Sequence, residues 1–109
     1  MRFSIFTPTH KADYLLDVFE SLTKQTFNDW EWVLIPNGKK IIIPNAIRAH
    51  PQVRIIPAPK GLNKKGIGAL KQFACSQCAG DYLVELDHDD LLTPDALEVI
   101  HATAFNTGA

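Results

Sequence analysis

Four short apolar runs recur along the chain: Arg2 to Thr7, Trp30 to Ile35, Val53 to Ile56 and Tyr82 to Leu86. Each ends in a polar or turn-forming cluster, and between them the apolar residues switch to helical spacing. This alternation limits the possible folds more than any single motif does. Runs of that length bounded by turn residues read as buried strands. Pro8 is expected to stop the first, Pro36-Asn37-Gly38 closes the second, and Pro57-Ala58-Pro59 closes the third. Leu15, Val18, Phe19 and Leu22 form one helical stripe, with Asp13, Asp17 and Glu20 off it. Ile67, Leu70, Ala74 and Cys78 form another, with Gly80 reading as its C-terminal stop. Leu97, Ile100, His101 and Ala104 form the last, opened by Thr93-Pro94-Asp95 as N-cap, first-turn proline and first-turn acid. Ile41-Ile42-Ile43 reads as a short extended piece and Asn45 to His50 as a short helix. The order predicts an α/β fold, a mostly parallel sheet with helices on both faces. With 109 residues it is one domain, 1–109.

In a parallel sheet the carboxyl ends of all strands share one edge, where ligands bind. Here that edge collects Thr7-Pro8-Thr9-His10, Pro36-Asn37-Gly38, Pro57-Ala58-Pro59 and the acidic knot Asp87-His88-Asp89-Asp90. Three carboxylates within four residues repel one another unless solvent, a cation or hydrogen-bond donors compensate. Hard carboxylate oxygens suit Mg²⁺ or Mn²⁺, which keep one or two protein carboxylates and fill the other positions with water and phosphate. Asp87 and Asp89 point the same way if strand geometry persists, so one can grip a metal while the other takes a hydroxyl or a metal-bound water. His88 then points elsewhere. A solvated turn with capping acids is the alternative reading of the knot.

Other residues are less decisive. Lys60-Gly61-Leu62-Asn63-Lys64-Lys65-Gly66 enters a helix and can offer backbone N–H groups and charge to a phosphate, but it matches no established phosphate loop. Lys71 lies beside an apolar stripe and either reaches the crevice or snorkels into solvent. Glu85, an acid inside an apolar strand, reaches either the edge of the site or a buried partner. Cys75 and Cys78 stand late in a helical stretch, with no second Cys/His pair at zinc-finger spacing, and read as small core-facing residues.

Composition excludes several classes of function. Eleven basic residues against twelve acidic ones, a net charge of −1, rule out a broad polybasic surface for nucleic acid. No stretch approaches the roughly 20 apolar residues that span a bilayer. The opening Met1-Arg2-Phe3-Ser4-Ile5-Phe6 is too short and polar for a signal peptide. The expected location is cytoplasmic, with peripheral membrane association allowed for a longer protein.

The chain resembles the N-terminal part of the family-2 glycosyltransferases, enzymes of the GT-A fold with a Rossmann-like nucleotide-binding half. Phe3 to His10 is similar to the family's opening strand and Pro-Thr turn. Leu15 through Ser21-Leu22, then Gln25-Thr26, resembles the next helix and its ending, and Trp30 to Ile35 the second strand. Gly66, Ala69, Lys71 and Gly80-Asp81-Tyr82 through Asp90 resemble the helix, strand and Asp-x-Asp motif. The resemblance implies a nucleoside-diphosphate sugar donor, with Pro8, Thr9 and His10 against base and ribose and Lys71 near the diphosphate. Asp87 would bind the ribose or a metal-bound water, and Asp89 a Mn²⁺ or Mg²⁺. It implies inverting transfer to an acceptor hydroxyl.

Two departures qualify this. Pro36-Asn37 stands where the family has acids that contact the base. Asn37 keeps hydrogen bonding without their charge, which puts the usual uridine preference in doubt. The chain also stops at Thr107-Gly108-Ala109, before the strands that carry the acceptor site and the catalytic base. It is therefore expected to be a truncated donor-binding half, inactive alone, with the acceptor unidentified. The alternatives are a sugar nucleotidyltransferase, disfavoured because Thr7-Pro8-Thr9-His10-Lys11 supplies no glycine-rich stretch, and a non-catalytic binding or assembly module. A sheet cut here exposes an edge, which favours a homodimer. Light scattering at high concentration is expected to show dimers; a clean monomer would contradict this.

Overall fold

A computed structural model describes residues 2–37, 41–87 and 90–106. Gly38, His88, Asp89 and the terminal Thr107-Gly108-Ala109 lie outside the described residues. Strands β1 (Phe3–Thr9), β2 (Trp30–Pro36), β3 (Val53–Ile55) and β4 (Tyr82–Glu85) form a parallel sheet in the order β3-β2-β1-β4. Helices α1 (Leu15–Thr23), α2 (Asn45–Arg48), α3 (Ile67–Ser76) and α4 (Ala96–Asn106) connect and follow them, with a 3₁₀ turn at Leu62–Lys65.

The period of two along each strand divides the core. Phe3 and Ile5 of β1 with Trp30, Trp32 and Leu34 of β2 face Leu15, Val18 and Leu22 of α1, Ile47 of α2 and Leu97 of α4. The intervening Phe6, Val33 and Ile35 face Leu70 and Ala74 of α3. Both faces are covered, as a parallel sheet requires. The direction of strand addition reverses after β3, so the crossover to β4 takes α3 to the opposite face, which keeps one handedness.

Several boundaries differ from the sequence reading. Pro8 does not stop β1, which runs on to Thr9 beside Pro36. Residues 6 and 8 direct their backbone polar groups toward β4, where Leu86 N–H donates to Phe6 O at 3.1 Å. β4 pairs no further than that, so the N–H that proline lacks has no ladder partner to lose. Ile41-Ile42-Ile43 joins no ladder; Ile43 is buried in the first core while Ile42 is exposed.

Gly80 is not a left-handed helix stop, since positive φ among the described residues occurs at Gly61 and Gly66. α3 ends at Ser76, and Gly80 instead crosses β1 closely. A methyl there would sit 2.7 Å from Arg2 O and 2.8 Å from Ser4 N. Gly66, with φ +97°, turns the chain from the 3₁₀ segment into α3, a conformation that favours glycine.

The sheet's amino-terminal edge is tied by Glu31, a carboxylate only 2% exposed between two tryptophans. Its Oε2 accepts from Ser4 Oγ at 2.5 Å and Ala79 N–H at 2.8 Å, and its Oε1 from Arg54 Nη1 at 2.9 Å. Gly80 N–H donates to Ser4 Oγ at 2.7 Å, completing the network. Burial pushes the Glu31 carboxyl upward, but the Ser4, Arg54 and Ala79 hydrogen bonds together outweigh it and hold the group below its ordinary value of 4.5. Cys75 and Cys78 pack against the second core, and the Cys78 thiol donates to Ala74 O at 3.3 Å. Burial foremost, then Glu31 and Cys75, pushes that thiol up to about 11, so it stays protonated and inert at neutral pH.

Two outcomes are expected. Glu31→Ala strands buried donors and costs roughly 3 kcal/mol in urea unfolding. The wild-type network stabilises fully above pH 4.5 and weakens as pH falls through the lower folded value, so Glu31→Gln flattens the acid limb of the stability profile. Cys78 resists iodoacetamide at pH 8 until the chain is denatured, which peptide mass mapping reads directly.

Candidate functional site

The strand order reverses between β1 and β4, so their carboxyl ends flank the position where an open α/β sheet forms its crevice. β1 delivers Pro8, Thr9 and His10 to this edge. Thr9 is buried, and its hydroxyl donates to Lys11 O at 2.5 Å while accepting Lys11 N–H at 3.3 Å. That hydroxyl is therefore engaged in turning the loop, which leaves His10 exposed at the rim. Asn37 N–H donates to Thr9 O at 2.8 Å, bringing the end of β2 alongside. Ala58 N–H donates to Pro36 O at 2.9 Å, so the proline segment after β3 is docked on the same edge. Three of the four predicted loop ends are joined by these backbone bonds.

The fourth lies beyond β4. Asp87 is exposed, and its carbonyl accepts Asp90 N–H at 3.0 Å. Glu85 lies opposite Phe6 in the ladder and so faces α3. There Lys71 Nζ meets Glu85 Oε1 at 2.7 Å. The hydrogen bond and the charge of Glu85 raise the Lys71 pKa above the usual lysine value; desolvation opposes slightly and Asp87 adds to the rise. Lys71 thus reaches the site edge, and Glu85 has a cation partner there rather than a buried one.

Among the described residues no three His, Cys, Asp or Glu side chains are grouped to hold a metal. Asp87 by itself offers a hard, solvent-exposed oxygen donor, which fits a small divalent cation that keeps most of its waters. Asp89, the other predicted ligand, lies outside the described residues.

One support entered the sequence reading only as part of the family-like ending of the first helix. Gln25, buried just after α1, donates from Nε2 to Ser21 O at 3.0 Å and Thr93 O at 2.7 Å, and its Oε1 accepts Leu97 N–H at 3.2 Å. Thr26 N–H donates to Pro94 O at 2.9 Å, and its hydroxyl to Glu98 Oε2 at 2.9 Å. The segment leaving the knot is thereby clamped to the end of α1. The expected N-cap is corrected accordingly: Thr93 Oγ1 bonds Asp95 Oδ1 at 3.1 Å, α4 begins at Ala96, and Gln25 satisfies the first-turn N–H of Leu97. A cleft of about 280 Å³ between α1 and this segment is lined by Asp17, Glu20, Ser21, Lys24, Leu91, Leu92 and Pro94, none of them a predicted donor contact. Among the described residues no helix is long and apolar enough to cross a membrane.

Comparison with known proteins accords with this architecture. The chain is 34% identical over 101 residues to the chondroitin synthase of Escherichia coli, covering 88% of this chain and 14% of that protein. It is 33% identical over 101 residues to the hyaluronan synthase of Pasteurella multocida, covering 88% of this chain and 10% of that one. The chain thus spans about a seventh or less of these relatives. The crystal structure of S. aureus TarS 1–349 superposes with a TM-score of 0.81 at 22% identity, over 97% of this chain and 33% of that chain. A TarS structure in complex with UDP-GlcNAc superposes with a TM-score of 0.79 at 20% identity, over 97% of this chain and 32% of that chain. The model of Glycosyl transferase family 2 matches residues 4–109, and the chain belongs to that family.

Proposed function

We propose that this chain is the donor-binding part of an inverting glycosyltransferase, taking a nucleoside-diphosphate sugar across the carboxyl edge of its sheet. The observation that carries the reading is the meeting of Lys71 with Glu85 beside Asp87, at the switch point of a family-2 fold. The pair brings the Lys71 ammonium, for a diphosphate, to the same edge as the exposed Asp87, for its counter-ion. TarS in complex with UDP-GlcNAc supports a UDP-sugar, with UDP-GlcNAc the first donor to test.

The roles divide by position. His10 at the rim and the loop shaped by Pro8 and Thr9 line the base and ribose. Asn37, held beside Thr9 by its backbone, hydrogen-bonds the base through an amide in place of the usual acids. Lys71 attracts the diphosphate. Asp87 and Asp89 would hold Mn²⁺ or Mg²⁺, which supplies Lewis-acid compensation of the charge on the leaving diphosphate. In the transfer, an acceptor hydroxyl oxygen bonds the anomeric carbon as the bond to the diphosphate breaks, and Lys71 stabilises the charge that develops. The acceptor proton goes to a base that we assign to no residue of this chain.

Isothermal titration with UDP and UDP-GlcNAc, in Mn²⁺, Mg²⁺ or EDTA, tests the reading. Cation-dependent binding that weakens at least about tenfold in Asp89→Ala, a loss of about 1.4 kcal/mol, is expected. No binding under any metal would favour a non-catalytic module.

A further inference from the structure

Lys71 carries the positive charge that the proposed donor site offers to a diphosphate, yet it is already paired. Its Nζ lies 2.7 Å from Glu85 Oε1, with the two side chains 40% and 39% exposed. A pair this open to solvent contributes little to stability, so the fold gives no strong reason for an acid at this place. Its neighbours along the same face of β4 and β1 are Leu83 and Phe6, and a neutral side chain would suit that strand as well. The consequence of Glu85 lies in the local charge. Lys71 contributes one positive charge, and Glu85 and Asp87 contribute two negative ones that the same ammonium senses. The knot continues with further carboxylates in the sequence. An approaching diphosphate therefore meets a lysine already paired with one carboxylate, with a second, Asp87, beside it.

Taking the donor-site reading as given, we infer that Glu85 is the resident counter-ion of Lys71, and that it makes diphosphate binding conditional on a divalent cation. Without the cation, carboxylates repel the anion and Glu85 occupies the ammonium. With the cation on the knot, that repulsion is cancelled, and a phosphate oxygen displaces Glu85 from Lys71. The lysine stem has four carbons, so the ammonium can exchange partners without backbone movement.

Glu85→Gln tests this, because it keeps the side-chain shape and an oxygen acceptor for Lys71 while removing the charge. UDP titrations followed by NMR, which reads millimolar as well as micromolar binding, are run on both proteins in EDTA and in Mg²⁺. Metal-free affinity is expected to rise roughly tenfold in Glu85→Gln, the Coulombic effect of one charge near a partly solvated anion. Affinity with Mg²⁺ should change less, so the metal dependence shrinks. Lys71→Met added to Glu85→Gln should cancel the gain, and Glu85→Ala should reproduce it. A gain of affinity cannot come from a damaged fold, which separates this role from a structural one. Cation-dependent UDP binding by the unsubstituted chain with no metal-free gain in Glu85→Gln would overturn the inference alone. Absence of UDP binding by the unsubstituted chain in any metal would overturn the donor-site reading and the inference with it.

Discussion

The buried carboxylate of Glu31 gathers four separate parts of the chain at one point. Through Ser4 it holds β1, through Arg54 it holds β3, and through Ala79 it holds the turn that launches β4. It stands itself on β2, so all four strands meet at one charged group on the sheet's amino-terminal edge. An ion of this kind would be costly to bury alone, and the three hydrogen-bond donors around it are what make the burial tolerable. The geometric effect reaches the other end of the sheet. β4 starts where Ala79 is pinned to Glu31 and Gly80 to Ser4, and after a fixed strand length it releases Glu85 and Asp87 beside the end of β1.

A second constraint acts on the far side of that edge. The knot is followed by a short segment that must return to the first core through Leu97. Gln25 and Thr26 hold it by four hydrogen bonds to Thr93, Pro94, Leu97 and Glu98. The described flanks of the knot, β4 before it and α4 after it, are thus each anchored.

Much of this was legible in the residues. Short apolar runs bounded by turn residues and period-3.6 stripes located the four strands and the longer helices, because a sheet covered on both faces selects for such patterns. The misreadings share one cause: the cost or use of a residue depends on a neighbour distant in sequence. Pro8 breaks a strand only where its missing N–H would have met a partner, and here β4 has already ended. Gly80 looks like a helix stop until β1 is placed against it, when the close approach to Arg2 and Ser4 becomes its reason. Glu31 carried a signal that went unused: an acid between two tryptophans demands donors, and Arg54 lies on the same face one strand over. Gln25 offered no such signal, since its partners are backbone groups about 70 residues away. The candidate site was legible as a convergence of loop ends, but the pairing of Lys71 with Glu85 needed α3 to be laid across β4.

The two glutamates of the α3 face show how one fold separates structure from function. Glu31 and Glu85 stand on strands of the same sheet and point to the same side. Glu31 is sealed and receives its hydrogen bonds from a hydroxyl, a backbone N–H and a guanidinium, each held by its own element. No approaching ligand can replace those donors without unfolding the edge. Glu85 is open to solvent and pairs with an ammonium on a flexible stem. That contact is weak enough to exchange, and the edge on which it stands is where a parallel sheet admits ligands. A carboxylate serves the fold when its donors are rigid and enclosed. It serves binding when its single donor is mobile and shared with the solvent that a ligand would displace.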